Sequence, residues 1–318
     1  MASDRTELKR SDRGAGPDLR VNIGALSLAN PVMVASGTFG YGEEFADVCD
    51  IDRIGAIVTK AITLKPKSGN PGPRVWETPS GMLNSIGLEN VGLERFLSDK
   101  LPFLQEHESR VIVNIAAVRI DDYARLAERL SEAEGVDALE VNISCPNVKA
   151  GGLSFGTDPD QARAVTLAVR AATNLPLLIK LTPNVTDIGV VAEAVVDGGA
   201  DSISLINTLV GMAIDLEREK PALGNIFGGL SGPAIKPVAL ACLWKVRGRV
   251  DVPLIGMGGI VNGRDAAEFL MAGATAVQVG TASFVEPRSA EIVLNGLIDY
   301  LKERNLDSAR DLVGRIHI

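Results

Sequence analysis

The stretch Ala138-Leu-Glu-Val-Asn-Ile-Ser-Cys-Pro-Asn-Val-Lys149 runs from an apolar, strand-like segment into a turn crowded with reactive groups. Alternation from Ala138 to Ile143 stops at Pro146, which has no backbone N–H with which to continue a ladder. Two carboxamides (Asn142, Asn147), a hydroxyl (Ser144), a thiol (Cys145) and an ammonium (Lys149) fall within eight positions, and Gly151-Gly152 lets the chain leave as a loop. A lone cysteine is most often a small buried hydrophobe, and Cys145 taken singly says no more than that. Its neighbours are poor core material, because buried amides and ammonium groups each need partners. The stretch therefore reads as a strand whose C-terminal end carries chemistry.

Short apolar or β-branched runs recur on both sides of it, at Val32 to Ala35, Ala56 to Thr59, Val111 to Ile115, Ala138 to Asn142, Leu177 to Lys180, Ser202 to Ile206, Leu254 to Gly256 and Ala276 to Val279. Between them, Asp121 to Ala133, Asp158 to Ala172, Ile188 to Val196 and Arg264 to Met271 place Ala, Leu and Val at three- and four-residue spacing opposite charges, as amphipathic helices do. Asp121 and Asp187 are the expected caps of two of them. Eight strand–helix alternations predict an α/β fold, a (β/α)8 TIM barrel. Leu19 to Leu28 alternates about Gly24 and predicts an N-terminal β-hairpin placed to plug the barrel floor. Residues 1–18, polar and charged, are expected to form a disordered or loosely ordered tail, leaving 19–318 as one barrel domain.

Composition agrees with one large core: 318 residues, 46% of them hydrophobic, with a mean hydropathy of +0.17. With 32 basic against 40 acidic residues the net charge is -8, and no basic run lies beyond the N-terminus, so nucleic acid is not an expected partner. Cys49, Cys145 and Cys242 are far apart and lack any Cys-x-x-Cys, which argues against a disulfide framework, a metal site or an iron–sulfur cluster on this chain and implies a reducing cytoplasm. No apolar run approaches the length of a membrane span, so no membrane association is expected.

In a TIM barrel the working face is built from the strands' C-terminal ends. Here those ends carry Ser36-Gly37-Thr38, Lys60, Asn114, Asn142 with Cys145, Lys180, Asn207-Thr208, Gly258-Gly259 and Gly280-Thr281. Lys60 and Lys180 end otherwise apolar strands, so each either meets an anionic partner at the mouth or snorkels to a rim. A glycine at the end of each of the last two strands suits close backbone approach to a phosphate, although glycine in a turn is commonly only a turn. Two long insertions, Thr63 to Asn90 and Leu209 to Lys236, are expected as active-site loops, as is the segment after the fourth strand. Lys65, Lys67, Arg74 and Trp76 in the first of them also fit an ordinary solvated stretch.

The chain also resembles a known family. Asn-Ile-Ser-Cys-Pro-Asn-Val at 142 to 148, followed by Gly-Gly-Leu-Ser-Phe-Gly-Thr-Asp-Pro at 151 to 159, is similar to the catalytic-loop region of the dihydroorotate dehydrogenases, specifically the family 1B catalytic subunits. The likeness extends through Ala-Ser-Gly-Thr-Phe-Gly at 35 to 40, Thr-Lys-Ala-Ile-Thr at 59 to 63, Asn-Pro-Gly-Pro-Arg at 70 to 74, Asn-Ser-Ile-Gly-Leu-Glu-Asn at 84 to 90, Ile-Lys-Leu-Thr-Pro-Asn at 179 to 184, Ile-Asn-Thr at 206 to 208, Gly-Gly-Leu-Ser-Gly-Pro at 228 to 233 and Gly-Met-Gly-Gly-Ile at 256 to 260. It implies a barrel that holds FMN and oxidises dihydroorotate to orotate in pyrimidine biosynthesis. It assigns FMN contacts to Ser36, Lys60, Ala61, Asn114, Asn142, Lys180, Ile206, Gly232, Gly258, Gly259, Gly280 and Thr281. Substrate contacts fall to Lys60, Asn84, Ser85, Ile86, Gly87, Leu88, Asn142, Asn207 and Thr208, and the base is Cys145. The 1B type implies a homodimer joined by a partner subunit carrying FAD and a two-iron iron–sulfur cluster, a heterotetramer that passes electrons to NAD. The fumarate-using 1A type and another FMN barrel acting on a dihydropyrimidine stand as alternatives. Ala116-Ala117-Val118 after strand three and Ala241-Cys242 depart from the pattern that the resemblance leads one to expect.

Overall fold

The computed structural model describes residues 16–144 and 155–317. Its centre is a closed parallel barrel, with strands β1 Val32–Val34, β2 Ala56–Val58, β3 Arg110–Ile115, β4 Ala138–Asn142, β5 Leu177–Lys180, β6 Ser202–Leu205, β7 Leu254–Met257 and β8 Ala276–Val279. Closure comes from β8 pairing with β1, with Val277 opposite Val32. The expected strands are all present. Ala35 and Thr59 fall just outside them, although their N–H groups still bond Val279 and Ile112 of the neighbouring strands, so the apolar runs overshoot by one residue.

One strand lacks the expected helix. Between β1 and β2 the chain makes two single turns, Glu43–Phe45 and Ile51–Arg53. Gly40 and Gly42 adopt φ of 55° and 93° there, values that interrupt any helix. After β2 the helix over 93–105 includes a π-helical segment, Phe96–Lys100. The remaining helices are α1 Ile120–Ser131, α2 Pro159–Ala172, α3 Ile188–Asp197, α4 Lys236–Arg247, α5 Gly263–Ala272 and, beyond the short turn Ala282–Val285, α6 Ser289–Glu303. Asp187 caps α3 by accepting from the Gly189 N–H. Asp121 does not cap α1; it lies inside the first turn, and Arg119 occupies the cap position without a side-chain bond.

The N-terminal hairpin pairs Val21–Ile23 with Leu26–Leu28 across Gly24. Its Val21, Ile23, Leu26 and Leu28 form one buried cluster with inward residues of the barrel, among them Met33, Val58, Ile112, Leu178 and Ile255. It therefore plugs the floor, as the alternation predicted, and each aliphatic side chain so buried contributes roughly 1.5–3 kcal/mol. Asp18 ties the entering chain to the C-terminal turn: its N–H bonds Asp307 and its carbonyl accepts from Ala309.

The two insertions differ from the irregular loops expected. Val75–Thr78 and Gly81–Asn84 come from the first, Leu209–Met212 and Phe227–Ser231 from the second, and together they make one antiparallel sheet above the mouth. Gly229 faces Asn84, and Leu230 lies between Leu83 and Leu209. The first insertion forms a hairpin of its own, with Trp76 opposite Leu83, and the second insertion's Phe227–Ser231 extends it into the four-stranded sheet.

Candidate active site at the barrel mouth

Side chains alternate along each strand, so residues two apart share a face. On β4, Glu140 thus points into the barrel with Asn142, one pleat deeper. Glu140 is fully buried. Its Oε1 accepts from Asn114 Nδ2 of β3 at 2.7 Å and from Lys180 Nζ of β5 at 3.4 Å. Its Oε2 accepts from Ser204 Oγ of β6 at 2.9 Å and Gln278 Nε2 of β8 at 2.8 Å. Lys180, 5% exposed, also donates to Ser36 Oγ beyond β1 at 3.3 Å. One carboxylate therefore gathers donors from four other strands, which lets both buried charges persist, since an unpaired ion inside the barrel would be strongly unfavourable.

The network leaves two atoms unused. Asn114 Oδ1 and Gln278 Oε1 are buried and accept no hydrogen bond. A carboxylate only accepts, so both amides must turn their NH2 groups toward Glu140 and their carbonyls away. A buried acceptor without a donor is unfavourable, and these two suit a ligand that offers N–H groups.

The predicted residues fall into three sets. Ser36, Asn114 and Lys180 belong to the network just described. Asn142 sits beside it: its Oδ1 accepts from Ser144 N–H at 3.1 Å, its carbonyl from the Tyr123 hydroxyl at 2.8 Å, and Ser144 Oγ donates to the Lys180 carbonyl at 3.0 Å. Cys145, with Asn147 and Lys149, lies outside the described residues.

At the last two strand ends, Gly258 and Gly259 have φ of 123° and 76°. A Cβ on Gly259 would lie 2.9 Å from the Gly232 carbonyl, so the predicted Gly232 is brought against them. Thr281, following Gly280, donates to Ser231 Oγ at 2.8 Å. Gly232, Gly258, Gly259, Gly280 and Thr281 are thus gathered by three different loops, a cradle in which Gly232, Gly258 and Gly259 require glycine for closeness and for positive φ alike.

The third set forms the rim. Asn84 donates to the Gly229 carbonyl at 3.3 Å, and the loop through Ser85, Ile86, Gly87 and Leu88 is held by Asn70, which donates to Ser85 and bonds Ile86, and by Asn90, which donates to Leu88. Arg74 is not a solvated charge: it pairs with Glu89 at 2.8 Å and donates to the Ser68 and Asn70 carbonyls, clipping the same loop. Asn207 and Thr208 follow β6, with Thr208 held by Asn184 at 2.9 Å. Ala61 and Ile206 are buried apolar residues at the ends of β2 and β6. The Lys60 backbone N–H bonds Gly40, and no ion pair among the described residues engages its ammonium. Ala116 is buried, with its N–H on Ile62, while Val118 is exposed.

Reading strand ends missed Glu140, Ser204 and Gln278. Each stands two residues before a strand-end position singled out, and a polar residue inside an apolar strand was the available signal.

Taken together, fold and site define an enzyme-type barrel whose mouth offers a buried ammonium, paired amides and a glycine cradle. The chain belongs to the dihydroorotate dehydrogenase family, whose model matches residues 18–301. It is 55% identical over 304 residues to the dihydroorotate dehydrogenase B (NAD(+)) catalytic subunit of Geotalea daltonii, covering 96% of this chain and 100% of that protein. It is 57% identical over 300 residues to the protein of the same description from Pelobacter propionicus, covering 94% and 99%. Among solved structures, DHODH from Eimeria tenella in complex with ferulenol superposes with a TM-score of 0.77 at 26% identity, covering 97% of this chain and 90% of that one.

Proposed function

We propose that this chain is the FMN-holding catalytic subunit of an NAD-linked dihydroorotate dehydrogenase and oxidises dihydroorotate to orotate in pyrimidine biosynthesis. The observation that carries the reading is the buried Lys180–Glu140 network with its two orphaned acceptors beneath a glycine cradle. These features fit FMN: the ring offers an N–H, the phosphate suits Gly258, Gly259, Gly280 and Thr281, and Lys180 supplies a positive charge where a reduced ring becomes negative. Bound there, FMN would supply the acceptor for the hydride leaving C6 of dihydroorotate, chemistry that no side chain offers.

The chain's own residues do the rest. Cys145 takes the C5 proton as its thiolate. Asn84, Asn142, Asn207 and Thr208 hold the pyrimidine's amide edge by paired donors and acceptors. Lys60 reaches substrate and cofactor from the end of β2, and the sheet built from the two insertions covers the mouth and limits water. Electrons then leave through a partner subunit carrying FAD and a two-iron cluster, in a cytoplasmic heterotetramer built on a homodimer of this chain. No helix among the described residues is long and apolar enough to cross a membrane.

An anaerobic visible spectrum of the purified chain tests this. A yellow protein bleached by dihydroorotate is the expected result. A yellow protein that dihydroorotate leaves unchanged would remove the substrate, and a colourless one that FMN cannot reconstitute would remove the cofactor.

A further inference from the structure

We infer that Glu140 is a positioning residue that sets the charge and the hydrogen-bonding polarity of the barrel interior just beneath the mouth, facing the cofactor. The inference rests on the FMN reading above and concerns residues that hold Lys180 and Asn114 rather than new contacts to the ring.

Three observations support it. Glu140 is fully buried, yet its carboxylate is the acceptor for every donor around it: Asn114, Lys180, Ser204 and Gln278. Its negative charge lies 3.4 Å from the Lys180 ammonium, so the two charges reach the mouth as a balanced pair rather than as an isolated cation. Because an ionised carboxylate cannot donate, it also dictates which way both amides face, and the carbonyls it turns outward are the two orphaned acceptors, Asn114 Oδ1 and Gln278 Oε1. A neutral amide in place of Glu140 would remove both constraints at once: the cation beneath the cofactor would be uncompensated, and Asn114 or Gln278 would be free to reverse.

The consequence concerns electron affinity. A reduced flavin ring carries negative charge, which Lys180 favours and Glu140 opposes. The carboxylate thus keeps the bound cofactor from becoming too strong an electron trap, as befits a subunit that must hand electrons onward.

The test uses the holoprotein of Glu140→Gln and Glu140→Asp, with the two-electron midpoint potential of the bound flavin and the FMN dissociation constant as readouts. Glu140→Gln is expected to shift the oxidised–reduced equilibrium at least tenfold toward the reduced form, about 30 mV for a two-electron couple, and to weaken FMN binding through the lost amide orientation. Glu140→Asp keeps the charge and is expected to stay within threefold of wild type in that equilibrium. An unchanged potential in Glu140→Gln, or equal shifts in the two variants, would overturn the inference and leave Glu140 as a space-filling residue. A second readout needs no cofactor: thermal unfolding of the FMN-free chain with Glu140→Gln, Lys180→Met and both together. Because each single change strands a buried charged or polar partner, the double variant should melt above either single one; a double variant that melts below both, or that fails to fold, overturns the pairing. Wild type that binds no FMN would defeat the functional reading while leaving this unfolding cycle to decide the role of Glu140.

Discussion

Cys49 shows how placement governs the chemistry of a thiol. Cys49 is buried, and burial, followed by the nearby Glu291 carboxylate, pushes its thiol up to about 12. It is therefore inert as a base near neutrality. Cys145 directly follows Ser144, whose hydroxyl is anchored on the end of β5 beside Lys180. Replacing Cys145 by Ala should lower the rate of flavin bleaching by dihydroorotate by about 10²–10⁴, the usual worth of a general base, while the flavin absorbance of the purified protein stays at the wild-type level. Stopped-flow spectroscopy reads both, and loss of the flavin would contradict the role assigned to the thiol. At this scale the sequence was informative about strand ends and silent about depth: Lys180 was visible as a lysine in need of an anion, but nothing in its neighbourhood names Glu140, forty residues earlier, as that anion.

The hairpin and the N-terminal strap are separable elements with separable energies. Leu28 is fully buried in the cluster that closes the barrel floor. Leu28→Ala should cost about 2–5 kcal/mol, the lost transfer energy plus the cavity, seen as a lower urea midpoint with an unchanged slope. The strap depends instead on charge. Asp18 accepts from Arg20 at 2.9 Å and from Arg310 at 3.0 Å. The hydrogen bond from Arg20 holds its carboxyl well below the usual range, at about 2. A folded-state value depressed below the unfolded one stabilises above the unfolded value near 4 and is lost as pH falls toward 2. Asp18→Asn should therefore cost less than about 1 kcal/mol of stability at pH 6 for so solvated a pair, seen as a slightly lower melting temperature, and the difference from wild type should disappear between pH 4 and pH 2. Hairpin and caps were partly legible, since Gly24 and Asp187 act locally. The expected helix after β1 was not formed, because glycines with positive φ break that segment into single turns.

For the whole molecule, the proposed division of labour between subunits yields the sharpest expectation. Among the three cysteines none pairs in a Cys-x-x-Cys, and the family relatives are described as catalytic subunits of an NAD(+) type. The chain alone should be bleached by dihydroorotate and reoxidised by an artificial dye, yet produce no NADH. Addition of the partner subunit should make absorbance at 340 nm rise at the expense of dihydroorotate. NADH formation by the isolated chain would refute the expected route.

The sequence by itself determined the barrel and the polar residues at its strand ends, because the period of two along strands, the periods of three and four along helices, and the polar strand ends are all local patterns. The tertiary structure alone decided two things. It joined insertions more than a hundred residues apart into one sheet, through backbone pairing of Gly229 with Asn84 that no local pattern encodes. It also placed the Glu140 carboxylate among donors from four other strands, because closing a barrel brings the interiors of all its strands to one axis.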